Sequence, residues 1–514
     1  MPRPRWYVWL TLAATLAAAA MPAAADVKPH PLFSDNAVLQ SAMPLAVWGT
    51  ADDGEKVTVR FQGQTATAAA DGRRWSVRLE PLEPGGPAEM TISGNNAVTL
   101  QNVLVGEVWI SSGQSNMAWT VTNSDGADET IAQSANAKIR LFTVPRAGAD
   151  EPLAEIEAAW AECGPETVGS FSAVGYYFGK HLQEKLNVPV GLINTSYGGT
   201  PAEAWTSREV LASEPELKDV LDAYAEVIKR YPEARRRYEE ALAKWKEEAA
   251  AARKEGKPFE RRRPQPPTGP DNPRRPAALY NAMIAPLEPF ALRGAIWYQG
   301  ESNAGRAYQY RTLFPAMIRC WRDAWPQGDF PFLFVQLAPF MKIEQEPSES
   351  AWAELREAQL LTMLRVPNTA MAVITDVGEE DNIHPKKKEP VGDRLALAAR
   401  ALAYGEKIEY SGPVFSKMEI DGGKAVLSFD HLGGGLVAEG GKLAGFAVCG
   451  EDRRFVNADA EIRGDKVIVS SPEVPKPAAV RYGWANYPLG NLWNRAGLPA
   501  SPFRTDDFPG VTQQ

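Results

Sequence analysis

Hydrophobic positions along the 514-residue chain fall into three regimes. From Val27 to about Asn102, short alternating runs are punctuated by turn residues. Residues 46–49, 56–61, 75–79 and 90–93 have the period of half-buried strands, and Asp53-Gly54, Asp71-Gly72 and Gly85-Gly86-Pro87 have the composition of turns. Strands this short and regularly spaced predict a small β-sandwich. At Val103 the rhythm changes to longer apolar runs at 103–110, 188–194, 292–298, 330–337 and 369–375. Helical spacing occupies 172–186, 308–325, 352–364 and 391–403. Apolar strands alternating with helices predict an α/β fold, a parallel sheet of about five strands covered by helices on both faces. Ligands of such sheets bind at the C-terminal strand ends. After about Gly405 the β rhythm returns at 425–429, 445–448, 466–469 and 478–482, which predicts a second β domain.

The α/β pattern is interrupted between Arg208 and Pro276. Val220, Leu221, Tyr224, Val227 and Ile228 repeat at helical spacing, as do Tyr238, Leu242 and Trp245 beyond Pro232, and 261–267 (RRRPQPP) reads as extended linker. An inserted helical hairpin is expected. Its arginine run at 235–237 could serve a polyanion, but the neighbouring Glu239, Glu240, Glu247 and Glu248 favour a solvated helix face. The domain plan is therefore a leader at 1–25, an N-terminal β-sandwich domain at 26–102, an α/β domain in two parts at 103–207 and 277–405, the helical insertion at 208–276, and a C-terminal β domain at 406–514.

Residues 1–25 have the plan of a secretory signal: Arg3 and Arg5, an apolar run from Trp6 to Ala20, and small residues before Asp26. Cleavage near Ala25 and a periplasmic or secreted destination are expected. The alternative, an uncleaved anchor helix, is disfavoured because the alanine-rich run is only marginally apolar for a bilayer. No other apolar stretch is long enough to span, so no membrane contact is expected after cleavage. Lys plus Arg number 55 against 64 Asp plus Glu, a net charge of −9, which argues against a nucleic-acid partner. Hydrophobic residues at 44% and charged residues at 23% suit a large packed core. Cys163, Cys320 and Cys449 allow at most one disulfide and offer no zinc spacing; buried thiols are expected.

Four loops at predicted strand ends carry polar residues suited to acyl transfer. Ser111-Ser112-Gly113-Gln114-Ser115-Asn116-Met117 can present a hydroxyl at a Gly-bearing turn, although its spacing is not the Gly-x-Ser-x-Gly of α/β-hydrolases. Asn194-Thr195-Ser196-Tyr197-Gly198-Gly199-Thr200 permits close backbone approach and could supply an oxyanion N–H. Its glycosylation sequon is discounted, since it falls at a buried strand end. Trp297-Tyr298-Gln299-Gly300-Glu301-Ser302-Asn303 offers an amide donor and an acid. Asp381-Asn382-Ile383-His384-Pro385 offers an imidazole with a carboxylate three residues before it. Of the four histidines, His30, His181 and His431 fall in β segments or a helix and are expected to be structural, leaving His384 as the general base. Taken singly, each loop is also the composition of an ordinary polar loop.

Together the four loops resemble the sialate O-acetylesterase branch of the SGNH/GDSL hydrolase superfamily, through GQSNM, NTSYGGTPAEAW, WYQGESN and DNIHP. The similarity extends to the flanks, LFSDNAVLQ with AVWGTADDGEKVTVRFQGQ in front and GLPASPFRTDDF behind. The resemblance implies a flavodoxin-like three-layer α/β/α sheet with no metal and no organic cofactor. It implies Ser115 as nucleophile, His384 as base and Asp381 as its orienting acid. An oxyanion hole would combine the N–H groups of Ser115 and Gly199, with Gly198 as the alternative, and the Asn303 amide. Gln114, Gln299 and Glu301 would shape the substrate site. The expected activity is that of an exported carboxylic ester hydrolase removing acetyl groups from sugar hydroxyls through an acetyl-enzyme. Its substrate is an acetylated sugar or polysaccharide: acetylated sialic acid, or alternatively acetylxylan or another plant polysaccharide. Lys386, Lys387, Lys388 and Arg306 are the cations near the loops, the lysines read as ordinary solvated charge. The different-class alternative is a non-catalytic sugar-binding protein. Oligomeric state is not readable from the chain.

Overall fold

The strand that enters the α/β region is longer than its apolar run suggests. In a computed structural model describing residues 26–513, β1 (Ala97–Gly113) is one continuous strand of 17 residues. Its first part alternates in exposure and pairs antiparallel with Gly85–Ser93. From Val103 onward every residue is buried. Parallel pairing with Val38–Gln40 begins just past the changeover, at Leu104–Gly106, and Asn102 at the changeover takes a left-handed φ of 58°. The N-terminal strands and the α/β layer are thus joined by a shared strand rather than by a linker. The expected leader, residues 1–25, lies outside the described residues.

Ahead of that junction, Lys28–Pro29, Leu45–Thr50 and Arg74–Leu79 form one sheet. Lys56–Phe61, Gln64–Ala69 and Gly85–Ser93 join β1 in another. Val47, Trp75, Val77 and Leu79 share a core with Val57, Val59, Phe61 and Ile92, as period-2 alternation requires.

The central sheet continues through β2 (Asn136–Thr143), β3 (Ala161–Cys163), β4 (Val190–Ser196), β5 (Gly294–Tyr298), β6 (Phe332–Val335) and β7 (Thr369–Ala372), in the order β3-β2-β4-β1-β5-β6-β7. All neighbours are parallel except β3, which runs antiparallel to β2 at the edge. The large sheet is therefore mixed, and it holds two strands beyond those expected. β2 escapes a search for apolar runs because Lys138 and Arg140 interrupt it. The buried Arg140 guanidinium is ion-paired with Glu162 at 2.8 Å and donates to Asn102 Oδ1 at 3.2 Å, while its Nε has no acceptor among the described residues.

Helices cover both faces. Trp109, Ile296, Leu333 and Val335 pack with Val174, Phe178 and Leu182 of α2 (Ala173–Leu186) and Leu395 and Ala399 of α6 (Glu389–Leu402). The alternate residues Val108, Ile110, Trp297, Phe332 and Phe334 pack with Phe314, Met317 and Trp321 of α4 (Ala307–Ala324) and Leu355 and Ala358 of α5 (Ala351–Arg365). α1 (Ser115–Ala118) is the single turn that follows β1.

The insertion is not a hairpin. After a short helix at Arg208–Ser213, α3 (Lys218–Lys254) runs 37 residues straight through Pro232, with only Val220 buried. The chain then returns without a second helix. Trp245 anchors that return by donating to the Arg261 carbonyl at 2.7 Å and packing on Phe259. Beyond residue 405, antiparallel sheets built on Val414–Asp421, Lys424–Asp430, Asp459–Arg463 and Lys466–Ser470, and on Phe446–Cys449 and Ala479–Tyr482, complete the mixed α/β molecule. The chain end returns to α5, where Val511 N–H donates to Glu354 at 2.6 Å. No helix among the described residues is long and apolar enough to cross a membrane.

Candidate active site

Strand polarity brings all four polar loops to one edge of the sheet. At the end of β1, Gly113 has φ 138°, and a Cβ there would stand 2.2 Å from the Tyr298 carbonyl at the end of β5. Only glycine permits that approach. Gln114 N–H then donates to the same carbonyl at 3.0 Å, and Ser115 opens α1 as its first residue. First-turn amides have no partner within a helix, and the Ser115 N–H donates no hydrogen bond among the described residues.

Ser115 and His384, 269 residues apart in sequence, meet with Oγ 2.8 Å from Nε2. Trp119 lies over the imidazole, rings 5.4 Å apart and 18° from parallel, fixing its plane. Burial first, and the positive charge of Lys388 second, lower the His384 pKa below its usual 6.5. A neutral imidazole is the form that accepts a proton. The other histidines face elsewhere: His30 is buried against Trp48, His181 sits 3.6 Å from Asp393, and His431 bonds Glu409.

Asp381 is not where the sequence reading puts it. Its side chain is exposed and forms no hydrogen bond or ion pair among the described residues, and His384 Nδ1 has no partner. Asn382 closes the loop. Its Oδ1 accepts from the His384 N–H at 3.0 Å, and its Nδ2 donates to the His384 carbonyl and to Glu379, each at 2.9 Å. This Asx-type closure holds the backbone of the loop, in which the Asp381 side chain is exposed.

The two glycines of the 194–200 loop have different neighbours. A Cβ on Gly198 would lie 3.5 Å from Ser115 Cβ, whereas one on Gly199, at φ 70°, would meet the Arg274 guanidinium at 2.6 Å. Gly198 is therefore the residue whose α-carbon faces the nucleophile. Neither glycine N–H donates a hydrogen bond among the described residues. Asn303 is buried; its Nδ2 donates to Glu203 at 2.9 Å, and its Oδ1 accepts from Ala202 N–H and Gln299. One of its two amide hydrogens remains without an acceptor among those residues.

The expected substrate-shaping residues lie beneath the surface. Gln299 is enclosed between Asn303, the Thr200 carbonyl and Tyr310 Oη, while Gln114 Oε1 accepts from Ser302 N–H at 3.2 Å. Both tie loops together from below. Glu301 Oε1 accepts from Asn116 Nδ2 at 2.6 Å, and its buried Oε2 has no hydrogen-bond partner among the described residues. Burial raises the Glu301 pKa. On the other side of Asn116, Lys388 Nζ donates to Oδ1 at 2.5 Å. Lys388 is 1% exposed, not a solvated lysine, and burial brings its pKa down to about 7. The chain Lys388–Asn116–Glu301 runs directly under the Ser115–His384 pair. Sequence reasoning missed Asn116 and Lys388, because a lysine run reads as solvent-facing until packing shows otherwise.

No group of three or more His, Cys, Asp or Glu among the described residues is placed to hold a metal ion. Cys163, Cys320 and Cys449 are free, buried thiols. Asn194 of the sequon is buried, its Oδ1 accepting from Ser196 Oγ.

Known proteins share this pattern. The family model for carbohydrate esterases described as sialic acid-specific acetylesterase matches residues 105–253 and 271–401, α3 included up to Arg253. The sialate O-acetylesterase of Rattus norvegicus is 32% identical over 76% of this chain and 76% of its own, and that of Homo sapiens is 31% identical over 93% of each. The crystal structure of a carbohydrate acetylesterase from Xanthomonas citri superposes with a TM-score of 0.79 at 39% identity, covering 94% of this chain and 100% of that one. The chain is an esterase of the carbohydrate-directed class. Within that class it belongs to the sialic acid-specific acetylesterase family.

Proposed function

We propose that this protein hydrolyses acetyl esters on sugar hydroxyls, sialate O-acetylesterase-like in its substrate, by serine chemistry in an SGNH-type, flavodoxin-like α/β/α layer. The observation that carries the reading is the 2.8 Å contact between Ser115 Oγ and His384 Nε2. In the first half-reaction Ser115 Oγ attacks the acetyl carbonyl carbon as its proton passes to His384 Nε2. Charge collects on the carbonyl oxygen, where the Ser115 N–H, an N–H of the Gly198–Gly199 turn and the free amide hydrogen of Asn303 supply stabilisation. Losing one such donor costs roughly 100- to 1,000-fold in rate. The C–O bond to the sugar breaks, and the departing oxygen takes the proton from His384. Water then attacks the acetyl-serine, His384 accepts its proton, and acetate leaves as the proton returns to Ser115. Asp381 is assigned the carboxylate that steadies the imidazolium. Its side chain has no competing partner, Nδ1 is unpartnered, and catalytic hydrogen bonds often tighten only with substrate bound.

Ser115→Ala tests the reading. The variant is expected to keep its circular dichroism spectrum and to lose at least about 1,000-fold in acetate release, in line with removal of a triad member. Near-normal release from 4-nitrophenyl acetate would overturn it. The plan of residues 1–25 supports export to the periplasm or beyond, tested by sequencing the N-terminus of the mature protein, with Asp26 expected first.

A further inference from the structure

We propose that Arg274 and Arg146 form a seat for a carboxylate carried by the acetylated sugar, beside Ser115. The inference rests on the esterase reading above and adds the subsite that would select an acidic substrate. The turn 196–199 is the wall of the site: a Cβ on Gly198 would lie 3.5 Å from Ser115 Cβ. Two guanidinium groups bear on this same turn. Arg274, delivered by the chain returning from α3, lies against Gly199, its Nη2 2.6 Å from where a Cβ would stand. A side chain at 199 would displace that guanidinium. Arg146, beyond the end of β2, donates from Nε to the Ser196 carbonyl at 3.2 Å and lies over the Tyr197 ring at 5.8 Å.

Both side chains are exposed, and neither forms an ion pair among the described residues. Their neighbours are different. Arg275 is paired with Asp150, Arg306 with Glu203, and Arg293 with Glu107. In a chain of net charge −9, two uncompensated cations on one catalytic wall make a local positive field. A guanidinium fork matches a carboxylate in two hydrogen bonds at once. One glycine separates the wall facing Ser115 from the wall facing Arg274, so the acetyl ester and the carboxylate would belong to a single sugar residue. Sialic and uronic acids are sugars of that kind.

The test compares O-acetylated N-acetylneuraminic acid with its methyl ester, which keeps the sugar and removes the charge, reading acetate release. Wild-type protein is expected to favour the free acid at least about tenfold in kcat/KM, a preference that shrinks as salt rises. Arg274→Ala and Arg146→Ala are each expected to lower that preference several-fold, toward equal use of acid and ester, through KM, and Arg274→Lys to restore part of it. Equal turnover of acid and ester by wild type, or equal losses on both substrates in the variants, overturns the carboxylate seat. Wild-type activity on acetylated xylo-oligosaccharides with none on either sialate also overturns it while leaving the esterase reading standing. Absence of acetate release from every substrate, 4-nitrophenyl acetate included, instead refutes the esterase reading.

Discussion

At the scale of single residues, the proposed mechanism depends on the protonation of one imidazole and on what surrounds it. Burial and Lys388 both disfavour the imidazolium, so His384 stays neutral, and able to act as a base, to lower pH than a free imidazole. Lys388, with a pKa near 7, is itself charged on that acid limb. Lys388→Met removes a positive neighbour and so raises the His384 pKa. The acid limb of the kcat/KM–pH profile should therefore move to higher pH, measured with 4-nitrophenyl acetate; an unmoved limb would remove Lys388 from the account. Asp381 gives a second expectation. If its carboxylate closes on Nδ1 once substrate is bound, Asp381→Asn loses about 1,000- to 10,000-fold in kcat, the cost known for the equivalent change in a serine protease triad. A loss under tenfold would leave a Ser–His pair held by Trp119 stacking alone.

At the scale of elements, the loops that bring Ser115 and His384 together were legible in the chain because each follows a strand with a clear apolar signature. Ser115 and Asn303 could be placed at strand ends before any coordinates. What periodicity could not reveal were features decided by packing. β2 carries Arg140 and Lys138, and its buried guanidinium is tolerated with Glu162 as counter-charge and a hydrogen bond to Asn102. α3 continues through Pro232 although proline interrupts a helix in isolation. On this exposed helix the pair Glu226–Arg230 before the proline and the pairs Glu233–Arg237, Arg235–Glu239 and Arg236–Glu240 after it connect successive turns. Each such pair is worth only a few tenths of a kcal/mol, so their number matters more than any one. The Asn382 hydrogen bonds that close the loop around His384, with Asp381 exposed beside them, were equally out of reach. Spacing alone cannot distinguish an acid three residues from a histidine that bonds it from one that faces water.

At the scale of the whole molecule, one buried acid connects parts that the sequence divides. Glu107, midway along β1, accepts from Ser41 Oγ at 2.8 Å, from Arg293 Nε at 2.6 Å and from Tyr404 Oη at 3.0 Å. It thereby ties the N-terminal strands, the entry to β5 and the segment after α6 to one strand. Glu107→Ala leaves Arg293 half-buried without its counter-charge, a change that costs about 3–5 kcal/mol for a buried pair. A clear drop in thermal midpoint is expected with KM on small acetyl esters unchanged; an unaltered midpoint would mean the contacts are dispensable. The same strand ends at Ser115, so the framework that Glu107 secures is the one that aims the nucleophile. Labelling with a fluorophosphonate followed by peptide mass mapping tests that aim most directly. The account predicts one phosphonyl group per chain, on the peptide containing Ser115, with acetate release lost in proportion to labelling. Modification at another residue, or full activity in protein stoichiometrically labelled at Ser115, would contradict it.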